Sequence, residues 1–264
     1  MIVPSMSFLE ICDALFSDRP KLQIKTHALL PKIAKQFKKE QKFPAWKWEE
    51  YTHQESKNKY LISFYAANIS QAENPIVNYI AFMEEDRQRL VIQWGCWPYR
   101  KYGSLEAIMT RAISFYCPHF FQRYRERVWH DEKMSYNELL CRYFSRNQEI
   151  IPIKTNTDIQ RNLEEYGDNA YSFQQPDGVC FVHLGMEGDE STIGTPEDNT
   201  VNVVLYMTIV TNKMMSQIQK EAIELGGKDY IRDYWGSLYS DMIMDQTLQA
   251  ILYIDKWIKI NHEE

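Results

Sequence analysis

Two clusters of β-prone segments, at about residues 59–94 and 170–210, with helix-patterned stretches before, between and after them, predict an α+β fold whose strands pair mainly antiparallel. Brief connections within each cluster favour hairpins over crossovers. At 264 residues, 44% hydrophobic and 14% aromatic with ten Gly and ten Pro, the chain has enough apolar surface for a large core and is neither disordered nor fibrous in composition. One sheet drawn from both clusters, in a single α+β domain over 1–264, is the first expectation. Two subdomains, 1–150 and 151–264, are the alternative.

The first helix is expected over 7–16, where apolar residues recur at helical spacing behind Ser7. A second, over 26–41, places Leu29, Leu30, Ile33, Ala34 and Phe37 on one stripe with lysines opposite, and Pro31 kinks or starts it. Phe43-Pro44-Ala45-Trp46-Lys47-Trp48 reads as a hydrophobic plug over the core, although paired tryptophans also stack on bases in nucleic-acid binders. Strands follow at 59–69, 76–83 and 89–94, separated by turn residues such as Asn74-Pro75.

Between the clusters the periodicity becomes helical. Residues 104–115 put Leu105, Ile108, Met109 and Ala112 on one side behind Ser104. Pro118 suits a first helical position, making Cys117 the N-cap of a helix over 117–130 with Phe120, Phe121, Tyr124 and Val128 inward. A third helix, 135–146, has Ser135 and Glu138 at capping-box spacing. An extended piece at 150–154 and a polar helix near 157–166 lead to the second cluster. There 171–174 and 179–184 form a hairpin around Pro176-Asp177-Gly178, an acidic loop spans 185–199, and 200–210 is a central strand. Helices over 212–225, closed by Gly226-Gly227, then 228–239 and 242–260 complete the chain.

A net charge of −6 lacks the broad positive field needed to coat nucleic acid or an anionic membrane. Eight lysines and one acid between Lys21 and Lys47 read as a solvated helix face, and five acids without a base mark 187–198. The five cysteines are odd in number and never form C-x-x-C, which favours free thiols in a reducing compartment. With no secretory signal pattern and no apolar run of membrane-spanning length, the expectation is a cytoplasmic protein without a membrane role. Walker, G-x-G-x-x-G, G-x-S-x-G and H-E-x-x-H patterns are absent, so no cofactor or metal is expected.

The chemistry concentrates on His119, Arg123 and Arg127, which recur every fourth residue and so share one side of a helix. An imidazole serves as general acid or base, and guanidinium forks match phosphate oxygens. Cys117, at a helix start two residues from His119, is a candidate for a depressed thiol pKa. The His-x-x-x-Arg-x-x-x-Arg pattern resembles the short helix signature of small toxin ribonucleases of the barnase and colicin-nuclease type, over nine residues. That resemblance implies metal-independent RNA cleavage or phosphate binding, with His119, Arg123 and Arg127 completed by strand residues such as His183 and Thr208. It implies RNA or another phosphate-containing ligand as partner. The opposing expectation is a noncatalytic protein-interaction or structural module with an aromatic-rich surface, engaging a protein partner or a second copy as a homodimer. In that reading His119 packs or caps, and the arginines pair with Glu126 and nearby acids.

Overall fold

The computed structural model describes residues 1–85, 88–100, 107–148, 150–153, 170–195 and 197–235. The strands are β1 (Ala45–Thr52), β2 (Lys59–Ala66), β3 (Ile76–Glu85), β4 (Gln88–Arg100), β5 (Ala107–Tyr116), β6 (Ile151–Ile153), β7 (Ala170–Gln175), β8 (Gly178–Glu187) and β9 (Val201–Thr211). They form one nine-stranded sheet in the order β1-β2-β3-β4-β5-β9-β8-β7-β6. Every pairing is antiparallel except the central one, where Ala112–Tyr116 runs parallel to Asn202–Tyr206. This joins the two predicted clusters, confirming an α+β fold. Helices α1 (Phe8–Phe37) and α4 (Gln217–Trp235) cover one face, and α2 (Pro118–Tyr124) and α3 (Tyr136–Arg146) cover part of the other.

Helix α1 is one 30-residue helix where two were expected. Its buried stripe runs Ile11, Leu15, Asp18, Leu22, Thr26, Leu29, Ile33, Phe37, in steps of three or four. Asp18 and Thr26 interrupt the apolar pattern in sequence but not in space, because each has partners. Thr26 Oγ1 donates to Leu22 O at 2.9 Å and lies 3.1 Å from Tyr79 Oη. Asp18 Oδ2 accepts from Ser56 Oγ, Asn58 Nδ2 and Tyr60 Oη at 2.6, 2.8 and 2.6 Å. Ser7 and Glu10 form a reciprocal capping box, and the Glu187 carboxylate accepts from Phe8 N at 2.7 Å, where a negative charge suits the helix start.

Three further expectations are corrected. Residues 107–116 form strand β5, not a helix; from Ala112 to Tyr116 it is hydrogen-bonded on both sides and buried on both faces, so that stretch has no polar face to reveal a period of two. Residues 104–106 of that reading lie outside the described residues. The tryptophan segment continues as edge strand β1, with Trp46 and Trp48 packed toward α3. Gly226-Gly227 does not close a helix but lies within α4, which packs beside β6 and β7; a Cβ on Gly227 would make ordinary van der Waals contact with Gln174 Oε1 at 3.4 Å and Ile151 Cγ2 at 3.7 Å. The expected helices over 157–166 and 242–260, and the end of that over 228–239, lie outside the described residues.

The face carrying α2 and α3 is an aromatic core. Tyr116 stacks on Tyr206 with ring centroids 4.4 Å apart at 13°, and Phe120, Phe121, Tyr143 and Phe144 meet Tyr116 at 5.2–5.6 Å. Asp177, in the β7–β8 turn, locks this layer. Its carboxylate accepts from Tyr124 Oη at 2.6 Å, from Arg146 Nη2 at 2.6 Å and from Asn147 Nδ2 at 2.9 Å, while Asn147 Oδ1 accepts from Asp177 N at 3.1 Å. Gly178 follows at φ 152°, where a Cβ would collide with Val210 O, so the hairpin turns only because glycine stands there. On the rim, Arg142 is sandwiched between Trp46 and Trp129 at 4.8 and 4.3 Å.

Burial raises the Asp177 carboxyl, but Arg146, Tyr124 and Asn147 hold it net below its ordinary value. A depressed folded pKa contributes stability above the unfolded value and loses it as pH falls through the folded one. We expect Asp177→Ala to cost about 3 kcal/mol at neutral pH, because it leaves the buried Tyr124 hydroxyl and Asn147 amide without their acceptor. Chemical denaturation from about pH 5 to about pH 2 should show the wild type losing more stability than Asp177→Asn.

Candidate functional site

Helix α2 begins at Pro118 as expected, with Cys117 as N-cap but without a side-chain cap bond. Phe120, Phe121 and Tyr124 are buried, leaving His119 exposed and Arg123 half-buried on the outer side. The helix then widens into a π turn, Arg125–Trp129, closed by His130 N donating to Arg125 O at 2.9 Å. The wider turn takes Arg127 out of line with His119 and Arg123. Its guanidinium donates to Ile209 O and lies 3.4 Å from Thr208 Oγ1. Strand β5 ends at Tyr116, and Cys117 N makes the last bond to Tyr206 O, so β9 beyond that point has lost its neighbour. Arg127 supplies the missing donor.

Of the five site candidates, the structure therefore brings Arg127 to Thr208 through a bond that also ends a sheet edge. His119 and Arg123 have no hydrogen bond or ion pair among the described residues. His183, on β8, pairs across to Leu205 and alternates with Val182 and Leu184, which face the α2 side; the register puts it on the opposite face of the sheet. Burial pushes the Cys117 thiol up, with Arg123 only partly opposing it, so the expected depression of its pKa is reversed. Its sulfur lies 3.6 Å from Met207 Sδ. Among the described residues no group of three or more His, Cys, Asp or Glu is placed to hold a metal ion.

Two constellations escaped sequence reasoning. One is the Asp18 cluster, where His53 Nδ1 accepts from Ser56 N at 3.1 Å and from Glu55 N at 3.3 Å, and Ile2 N donates to Asn58 Oδ1 at 2.7 Å. Burial, with the Asp18 carboxylate, pushes the Tyr60 phenol up, keeping it a donor. Its donors converge on one carboxylate, so the cluster anchors α1 to the β1–β2 turn.

The other is a groove of about 430 Å³ on the half of the sheet that α2 and α3 leave uncovered. Trp97, Pro152, Tyr171, Phe173 and Leu184 form its walls. Gly95, Ala112 and Ser114, on β4 and β5, share that face with Trp97, and a Cβ on Gly95 would meet no atom within 4 Å. Asn202 contributes a polar point, its amide donating to Thr110 Oγ1 at 2.7 Å. Tyr171 and Met186, 45% and 39% exposed, share the same face. No contiguous stretch of sequence marks the groove, because its walls come from strands β4, β6, β7 and β8, which only the pairing brings together.

Comparison with protein-family models, with curated proteins and with solved structures found no match. Among the described residues no helix is long and apolar enough to cross a membrane.

Because Arg127 holds the free edge of β9, we expect Arg127→Met to lower unfolding free energy by about 2 kcal/mol in urea titrations, the scale of a hydrogen bond from a charged donor. An unchanged midpoint would show that the edge does not depend on it.

Proposed function

We propose that this protein is a noncatalytic recognition module that takes an aromatic or aliphatic side chain of a partner polypeptide into the groove between Trp97, Tyr171 and Leu184. The observation carrying this reading is the groove itself: apolar walls from Trp97, Tyr171, Phe173 and Leu184, with Asn202 as an orienting polar group. Exposed Tyr171 and Met186 suit a protein contact, since aromatic anchors dominate interface energetics and methionine adapts to differing partners. The bonding of the strongest polar groups supports it too. Asp18, Asp177 and Arg127 are each engaged by internal partners.

A selection of displayed random peptides against the folded wild type tests this. We expect enriched sequences sharing one large apolar residue, with binding weakened at least roughly tenfold by Leu184→Glu while the melting temperature stays within a few degrees. No enrichment, or equal binding by that variant, would remove the groove from the account.

A second reading keeps the anion chemistry of α2, favoured by the accessibility of His119 and Arg123 and their lack of a carboxylate partner among the described residues. There RNA phosphate would bind the outer side of α2. On this reading a pool of single-stranded RNA would be degraded by the wild type and spared by His119→Ala of equal melting temperature; degradation by neither, or equally by both, excludes it.

A further inference from the structure

We infer that β1 is a self-complementary edge through which two copies of this chain pair antiparallel about a two-fold axis, continuing the sheet from one copy into the other. This surface is distinct from the groove and does not depend on that reading.

The two edges of the sheet are unlike. The β6 edge is three residues long and carries Pro152, and α4 packs beside it. Short strands and prolines are how sheet edges avoid adding another strand. The β1 edge has eight residues, no proline and an unbroken register against β2. His53 N donates to Asn58 O at 2.9 Å, which fixes the alternation: Tyr51, Glu49, Lys47 and Ala45 direct their backbone groups at β2. Trp46, Trp48, Glu50 and Thr52 therefore direct theirs outward, and no described residue bonds to them. Helix α3 lies on one face of β1 and α1 on the other, and among the described residues the edge itself is open.

Charge selects the register. Two-fold pairing must place one residue of β1 opposite itself. Centred on Lys47, Glu49 or Glu50, it sets like charges face to face, which is unfavourable at cross-strand distance. Centred on Trp48, it sets Lys47 opposite Glu49 of the second copy, and Glu49 opposite Lys47, in the closer, non-hydrogen-bonded kind of pair. Within each copy Lys47 already meets Glu40, and Glu49 meets Lys32 at 3.0 Å. The pairing would thus align Glu40, Lys47, Glu49 and Lys32 in alternating sign across the axis. A second copy fits this edge better than an arbitrary peptide, because the edge supplies its own complement.

Sedimentation velocity on the full chain tests the inference. Wild type should sediment as a dimer at about 100 μM, and Lys47→Glu and Glu49→Lys should each weaken association roughly tenfold or more. The double variant K47E/E49K, which restores opposite charges across the axis, should recover the dimer, and an equimolar mixture of the two single variants should form a mixed dimer. Glu50→Pro, which removes an outward N–H without touching the β1–β2 ladder, should be monomeric. Circular dichroism establishes that each variant is folded; the charge swaps are at the surface and keep the test valid if the proline variant does not fold. A monomeric wild type, or a dimer indifferent to every variant, overturns the inference. Single-swap monomers that neither the double variant nor the mixture rescues overturn the register.

Discussion

The parallel contact between β5 and β9 is the constraint on which the rest of the molecule depends. Each strand heads an antiparallel set, β1 to β5 on one side and β9, β8, β7, β6 on the other, and only this contact makes them one sheet. A parallel pair needs a long crossover, and the segment supplying it, from Cys117 to Thr200, carries α2, α3 and three strands. Stacking of Tyr116 on Tyr206 places an aromatic pair at the junction, and α2 and α3 pack onto it. Where β5 ends and β9 continues, a row of backbone acceptors opens, which Arg127 enters.

Two buried carboxylates tie the layers to the sheet. Asp18 gathers donors from the β1–β2 hairpin beneath α1, and Asp177 gathers them from α2, α3 and the segment after it. Neither is spare chemistry, since a buried charge persists only when its acceptor positions are filled. Three arginines are likewise engaged: Arg142 lies between two tryptophans, Arg146 is bound by Asp177, and Arg127 caps β9. Among the described residues, what the fold leaves open is apolar surface on half of one sheet face and an unpaired strand at one edge.

Much of the fold was legible in local sequence. The capping serines at Ser7 and Ser135, the Pro118 start of α2, the Pro176-Asp177-Gly178 turn and the β-rich run of β9 each depend on a few neighbouring residues, so they survive in any reading of the chain. Strand β5 was not legible, because a strand enclosed on both faces shows no alternation and its apolar spacing happens to suit a helix. The length of α1 was hidden by Asp18 and Thr26, polar residues in a buried stripe whose hydrogen-bond partners lie 38 or more positions away in sequence or one helical turn back. The residues chosen for chemistry were chosen by spacing along an ideal helix, and the π turn at Arg125–Trp129 broke that spacing.

The sequence by itself therefore determined the class of fold, the placement of most helices and strands, and the hydrophobic side of α2, because these rest on periodicity and capping within a few residues. The tertiary structure alone decided which face His183 occupies, what Arg127 binds, where the groove opens and which edge of the sheet is free. Those outcomes depend on strand order and register, and register is set by contacts between residues far apart in the chain, which no local pattern contains.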